Sequence, residues 1–561
     1  MSKFVIYQIL PRLFANTNST NKHNGTIEEN GCGKFNFFTP KALKEIKSLG
    51  VTHVWYTGII EHATQTDYTS FGIQMDHPAV VKGKAGSPYA IKDYYDVDPD
   101  LAENVENRMT EFENLVKRTH KADMKVIIDF VPNHVARQYH SDAKPAGVVD
   151  LGENDNTNWA FSPKNNFYYI PNQSFSPQFD LKGYTEFPAK ATGNDQFTAS
   201  PTINDWYETV KLNYGVNYVE GSQKQFDPIP DTWIKMRDIL LFWATKKVDA
   251  FRCDMAEMVP VEFWQWAITQ VKIQYPQIIF IAEVYNPNEY RNYISNGKFD
   301  YLYDKVGMYD MLRNITSNNF PVREITTVWQ SLGDIENQML NFLENHDEQR
   351  IASGFFSGNG MYAKPAMIVA ATLTMAPVMI YSGQELGENG MEAEGFSGLD
   401  GRTTIFDYWS VKSIQNWINN GKFNDEKLTI DQKNLRVFYQ KLLNITLTEK
   451  AITHGKMFDL EFANIDNKTF NTHEQYAYFR SFEDELLLFV LNFDDKHLST
   501  EVIFPKELFQ YINLNEGQQY SCENLLDETE IISDFTLCSN EVFNTEIPAW
   551  TGKILKLKLL D

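Results

Sequence analysis

Eight short apolar runs, rich in β-branched and aromatic residues, recur through the first four-fifths of this chain, and stretches of helical periodicity separate them. The runs span residues 4–10, 51–60, 126–130, 248–254, 278–284, 299–303, 339–343 and 377–381. After the first, Thr39-Pro40 supplies an N-cap and a first-turn proline, Leu43, Ile46 and Leu49 share one helical face, and Gly50 ends the helix. Met109, Phe112, Leu115 and Val116 mark the next helix, and residues 233–245 and 261–275 carry the same pattern. Eight strands alternating with helices predict an α/β fold, a closed (β/α)8 TIM barrel, over a shorter open sheet.

The rhythm breaks twice. Residues 135–228 are turn-rich and too long for a structureless loop, so a small inserted domain is expected after the third strand. Its aromatics (Trp159, Tyr168, Tyr169, Tyr184, Trp206 and Tyr214) are expected to form mostly its own core, with a few facing a ligand. Beyond about residue 440 the pattern becomes alternating strands at 476–481, 486–493, 501–504 and 554–559, which predicts a C-terminal antiparallel β-sandwich. The expected domains are therefore a barrel from residues 1–134 and 229–435, an insert at 135–228 and a sandwich at 436–561. A chain of 561 residues exceeds what one core supports, which agrees with this division.

A formal charge of −23 repels phosphate backbones, so nucleic acid is not an expected partner, while a neutral sugar meets no such barrier. No run is long and apolar enough for a membrane span. Cys32, Cys253, Cys522 and Cys538 are too few and scattered for a disulfide framework or a zinc site. Met1 to Tyr7 enters a strand-like run without a basic region and an apolar stretch before it. The protein is expected to be soluble: cytoplasmic as a full-length chain, secreted or periplasmic as a trimmed one.

Polar residues concentrate at four predicted strand ends, where β/α barrels carry their chemistry. The third strand ends in Asp129-Phe130-Val131-Pro132-Asn133-His134, the fourth in Phe251-Arg252-Cys253-Asp254, the fifth in Ala282-Glu283-Val284, and the seventh leads into Glu344-Asn345-His346-Asp347. A single acid there is more often a cap or a structural acceptor, but four such clusters at one barrel mouth cost stability unless function requires them. Arg252 and Asp254 leave the same face of their strand, while Cys253 points the other way as a buried apolar side chain. The arginine would hold Asp254 ionised, as a nucleophile must be, and an apolar strand delivers Glu283 to a desolvated position suited to proton donation. One ionised and one protonated carboxyl across a bond is what glycoside hydrolysis requires, with roughly 5–5.5 Å between them for retention.

These segments resemble the ordered motifs of the α-amylase family, glycoside hydrolase family 13. Asp129 to His134, Asp249 to Ala256, Ile281 to Tyr285 and Phe342 to Asp347 resemble its four motifs. Tyr7-Gln8-Ile9-Leu10-Pro11-Arg12, Ser87 through Pro99, and Val378 to Glu385 resemble its first strand, a segment before its second helix and its eighth strand. The resemblance implies a retaining hydrolase of α-1,4 bonds in α-glucans or malto-oligosaccharides, with Asp254 as nucleophile, Glu283 as acid/base and Asp347 binding and distorting the reacting sugar. It implies substrate contacts from Tyr89, His134, Arg252 and His346, a bracing role for Asp129, and no cofactor for the chemistry. It also implies a structural calcium at Asn133, completed by oxygens of the insert.

One departure stands out. Many α-amylases carry a Lys-His pair after the nucleophile, where this chain has Glu257-Met258, a feature closer to relatives acting on short or cyclic dextrins. Action on α-glucans is therefore the safer expectation than action on starch. A transglycosylase or isomerising enzyme with the same carboxylates is the alternative. A non-catalytic carbohydrate-binding homologue would lack one of Asp254, Glu283 and Asp347, and none is missing.

Overall fold

A computed structural model describes residues 3–396, 398–539 and 541–560. Eight parallel strands close into a barrel: β1 (Val5–Ile9), β2 (His53–Tyr56), β3 (Lys125–Phe130), β4 (Ala250–Cys253), β5 (Ile279–Ala282), β6 (Tyr301–Tyr303), β7 (Met339–Phe342) and β8 (Val378–Tyr381). Each pairs with its sequence neighbours, and β1 closes on β8 with Val5 level with Val378. All eight predicted strands exist; β3 begins one residue earlier than expected and the others are shorter than expected. The predicted helix start is also present: Thr39 accepts a hydrogen bond from the Ala42 amide at the head of helix Pro40–Lys47.

Register is what positions the site. Arg252 on β4 is level with Asp129 on β3 and Ile281 on β5. The Asp254 amide continues the ladder to the Phe130 carbonyl (2.9 Å), and the Glu283 amide continues it to the Cys253 carbonyl (3.1 Å). Two acids on adjacent strands thus leave the barrel at nearly the same height. Cys253 faces the other way and is fully buried in the main core.

Past β3 the chain leaves the barrel through His134–Ala136, which pairs antiparallel with Thr209–Lys211, so the excursion departs and returns on one ribbon. Phe175, Ala189, Ala199 and Tyr207 form a small cluster within it, closed by Val80. Tyr169 and Tyr214 are buried in the main barrel core and not in a core of the insert's own, which corrects that expectation; Tyr184 packs half-buried against the small cluster, Tyr168 is buried, and Trp159 is 54% exposed.

Toward the C-terminus a six-stranded antiparallel sheet orders Lys456–Asp459, Gln475–Phe482, Glu485–Asn492, Thr551–Leu559, Gln518–Asn524 and Phe535–Leu537. A two-stranded ribbon, Leu498–Ile503 with Val542–Ile547, shares a core with one sheet face through Val502, Phe543, Phe479 and Leu488. From the other face Tyr478 donates to or accepts from Thr372 (2.6 Å), and Arg480 donates to the Leu373 carbonyl (2.8 Å), fastening the sheet to barrel helix Lys364–Thr372. The boundary expected at 435/436 would cut helix Ile430–Thr448, which is capped at Thr429 and buries Leu435, Leu442 and Leu443 in the barrel core. Among the described residues, no helix is long and apolar enough to cross a membrane.

Candidate active site

The C-terminal mouth of the barrel holds a cavity of about 400 Å³ lined by Tyr89, His134, Asp254, Glu283 and Asp347 among others. Beneath it lies Arg252, 1% exposed. Its Nη1 meets Asp254 Oδ1 at 2.7 Å and Asp129 Oδ1 at 3.5 Å, its Nη2 meets Glu283 Oε2 at 2.8 Å, and its Nε donates to the Tyr303 hydroxyl at 3.2 Å. One guanidinium therefore joins the ends of β3, β4 and β5. The planar fork suits this task, because it can serve two carboxylates in fixed directions.

This sharing changes the expected electrostatics. The arginine was expected to belong to Asp254 and keep it ionised. Burial instead pushes the Asp254 carboxyl well above the usual carboxylate range, Arg252 opposes the rise, and the Glu283 carboxylate adds to it. Glu283 also accepts from the Met255 amide (2.8 Å) and the Tyr285 hydroxyl (2.6 Å). Met255, directly after Asp254, sits at φ +42°, a conformation costly for a non-glycine residue, and it is this turn that aims its amide at Glu283.

Asp347 reaches the cavity from the loop after β7. Asn345 Oδ1 accepts from the amides of Asp347 and Glu348 (both 2.9 Å) and folds the turn that presents it. Burial raises the Asp347 carboxyl, but His346, Arg252 and Arg402 together bring it below its usual value. Glu344, in the same cluster, faces away: it pairs with Arg350 (2.9 Å), and burial pushes it up to about 7 against that arginine.

The expected sugar contacts divide into two kinds. Tyr89 and His134 line the cavity. Burial, helped by Lys211 and Lys82, depresses the His134 imidazole to about 3, so it is neutral at pH 7. Arg252 and His346 lie behind the residues that line the cavity. Arg252 is covered by the carboxylates it holds. His346 has both ring nitrogens engaged, Nδ1 with Gln8 Nε2 (2.7 Å) and Nε2 with the Tyr89 hydroxyl (2.6 Å) and Asp347 (3.0 Å). Its ring stacks on Tyr89 with centroids 5.0 Å apart. Asp129 braces, accepting from Trp55 Nε1 (3.0 Å) and the Gly58 amide (3.4 Å).

Several lining groups escaped sequence reasoning. Tyr285 stands two residues after Glu283, so strand alternation alone could have placed it on the same face. Of the insert aromatics only Trp206 reaches the cavity, packed at 5.2 Å against His134. Ile405 and Phe406, from the segment after β8, and the Lys82–Glu208 ion pair (3.0 Å) complete the wall; no local pattern marks them.

Asn133 does not fit the calcium expected there. Its Oδ1 accepts from the Lys211 ammonium, and its Nδ2 donates to the Gly193 carbonyl (2.8 Å). Among the described residues, no group of three or more His, Cys, Asp or Glu is arranged to hold a metal ion. The oxygen available at Asn133 already faces a cation of the protein's own.

Comparison with known proteins agrees with this geometry. The profile of the α-amylase catalytic domain matches residues 8–444. α-Amylase 3 of Dictyoglomus thermophilum is 25% identical over 426 residues, covering 72% of this chain and 74% of that protein. A cyclomaltodextrinase of Thermoanaerobacter pseudethanolicus is 22% identical over 523 residues, covering 90% and 72%. The fold is that of a maltogenic α-amylase from Thermotoga neapolitana, with a TM-score of 0.63 at 19% identity, covering 100% of this chain and 99% of that one. With its motifs converging on one guanidinium and more than three-quarters of its length inside the matched domain, the chain belongs to the α-amylase family of glycoside hydrolases and transglycosylases.

Proposed function

We propose that this protein is a retaining glycoside hydrolase that cleaves α-1,4-glucosidic bonds in α-glucans or malto-oligosaccharides. The observation that carries the reading is the Arg252 guanidinium held between Asp254 and Glu283, with Asp347 on the same cavity. In this reading Asp254 attacks the anomeric carbon while Glu283 protonates the departing glycosidic oxygen, and the C–O bond breaks as the Asp254 ester forms. Glu283, now ionised, takes a proton from water, whose oxygen displaces Asp254. The productive form of the pair carries its proton on Glu283, and the Met255 amide and Tyr285 hydroxyl fix that carboxyl in place. Asp347, kept ionised by His346 and the nearby arginines, is suited to accept from hydroxyls of the distorted sugar. Tyr89 and Trp206 offer flat faces to sugar rings, and neutral His134 offers a hydrogen bond to a hydroxyl.

Glu257 bears on the leaving-group side. Its Oε2 accepts from the Asn286 amide (3.0 Å), tying the turn after the nucleophile to the segment after Glu283. This carboxylate thereby braces the two segments that carry Asp254 and Glu283. Incubation with maltoheptaose, long amylose and a cyclic dextrin tests the reading. Shorter products with rising reducing sugar are expected; products longer than the substrate, with little reducing sugar, would replace hydrolysis by transfer.

A further inference from the structure

We propose that Lys211 serves as a built-in cation that takes the place of a metal ion between the barrel and the excursion after β3, positioning His134 and the turn after Asp254. Lys211 is the cross-strand partner of His134, and its side chain is 2% exposed. Its ammonium donates to Asn133 Oδ1 at the end of β3, pairs with Asp195 Oδ1 (2.7 Å) within the excursion, and donates to the Met258 carbonyl (3.3 Å) in the turn after the nucleophile. An ammonium has three donors and no acceptor, and three oxygens from three separate segments surround it. The Tyr218 ring lies 5.6 Å from Nζ and covers a further side.

These oxygens are the kind a calcium ion would gather, but calcium needs six to eight of them. Here only one is a carboxylate, and its charge is matched by one lysine. A divalent ion would meet a fixed positive charge and too few ligands. Packing adds a second reason. A Cβ at Gly193 would come within 2.4 Å of Thr209 Oγ1 and 3.0 Å of His134, so the backbone that feeds its carbonyl to Asn133 is already pressed against the ribbon. The ribbon and the strand end are thus clamped together. Through Asn133 the clamp fixes His134 (Asn133 Nδ2 to His134 Nδ1, 3.0 Å), and through Met258 it fixes the turn whose Met255 amide holds Glu283.

The test uses the whole protein, with two readouts that need no substrate. Metal analysis of the purified protein is expected to give no stoichiometric calcium, and thermal unfolding is expected to be the same in EDTA and in calcium chloride. Lys211→Met, which keeps length but removes charge, is expected to lower Tm by several degrees in both buffers. Below its own Tm, with native circular dichroism, it is expected to lose about tenfold in kcat/KM, with KM raised as His134 loosens. Lys211→Arg is expected to recover part of both losses. Stoichiometric calcium, or a wild-type Tm that falls in EDTA and returns with calcium, would overturn the built-in cation. A Lys211→Met protein that is less stable but kinetically normal would overturn the positioning role. The metal and unfolding measurements stand whether or not the proposed reaction is the right one, so failure of that reading is distinguishable from failure here.

Discussion

Asp249 and Asp254 stand at opposite ends of the same short strand, and the protein treats them oppositely. At the barrel floor Asp249 accepts from His120 (2.7 Å) and the Val126 amide (2.8 Å) and pairs with Lys125 (3.3 Å); burial raises its carboxyl, but these partners bring it below the usual value. At the mouth Asp254 is more deeply buried, shares its one arginine with Glu283 and Asp129, and is pushed up. Five residues apart, one acid has partners of its own and the other competes for a partner. The floor acid has its own partners and the mouth acid does not, which matches the stability-versus-reaction polarity of β/α barrels.

The largest expected break in this comparison is catalytic. Asp254→Asn and Glu283→Gln should each lower kcat on a maltodextrin by on the order of 10⁴-fold or more, whereas Asp249→Asn should stay within about twofold of wild type. Steady-state assays of the three variants check this. Comparable losses at both ends of the strand would sink the division.

Stability should run the other way. The folded-state pKa of Asp254 lies above its unfolded value, so the folded chain binds more protons in the window between them, and stability falls as pH rises through that window. Asp254→Asn removes this penalty and should raise Tm at pH 7, with the gain vanishing as pH falls below the ordinary carboxylate range. Asp249, whose folded value is depressed, stabilises above that range and loses its effect as pH falls. Asp249→Asn should therefore cost about 1 kcal/mol at pH 7 and much less near pH 3. Thermal melts across pH 3–8 separate the two signs.

A smaller effect sharpens the picture of the mouth. Tyr285→Phe removes the 2.6 Å hydrogen bond to Glu283 and leaves Arg252 in place. It should lower kcat by about tenfold, with Tm little changed. An unchanged kcat would mean that the hydroxyl does not hold the acid in place.

Much of the mouth was legible because strand periodicity and strand-end position are local signals. The eight runs, the opposed faces of Arg252 and Cys253, and the delivery of Glu283 by an apolar strand all follow from residues within a few positions of one another. What failed was long-range. That Arg252 would divide itself among three carboxylates depends on the register of β3, β4 and β5, and that His346 would be enclosed by Gln8 and Tyr89 depends on segments hundreds of residues apart. Lys211 was invisible for the same reason, since its meaning lies in its pairing with His134 across an excursion of some 75 residues. The Ile405–Phe406 wall follows no periodic pattern at all.

The claim on which the rest depends is that the pair held by Arg252 performs a double displacement. The most direct measurement is the anomeric form of the first product released from linear maltodextrin, followed by NMR before mutarotation. The α-anomer should appear first, and no product should appear with Asp254→Asn. The β-anomer appearing first would contradict the account, because it would mean that water, and not Asp254, attacks the sugar.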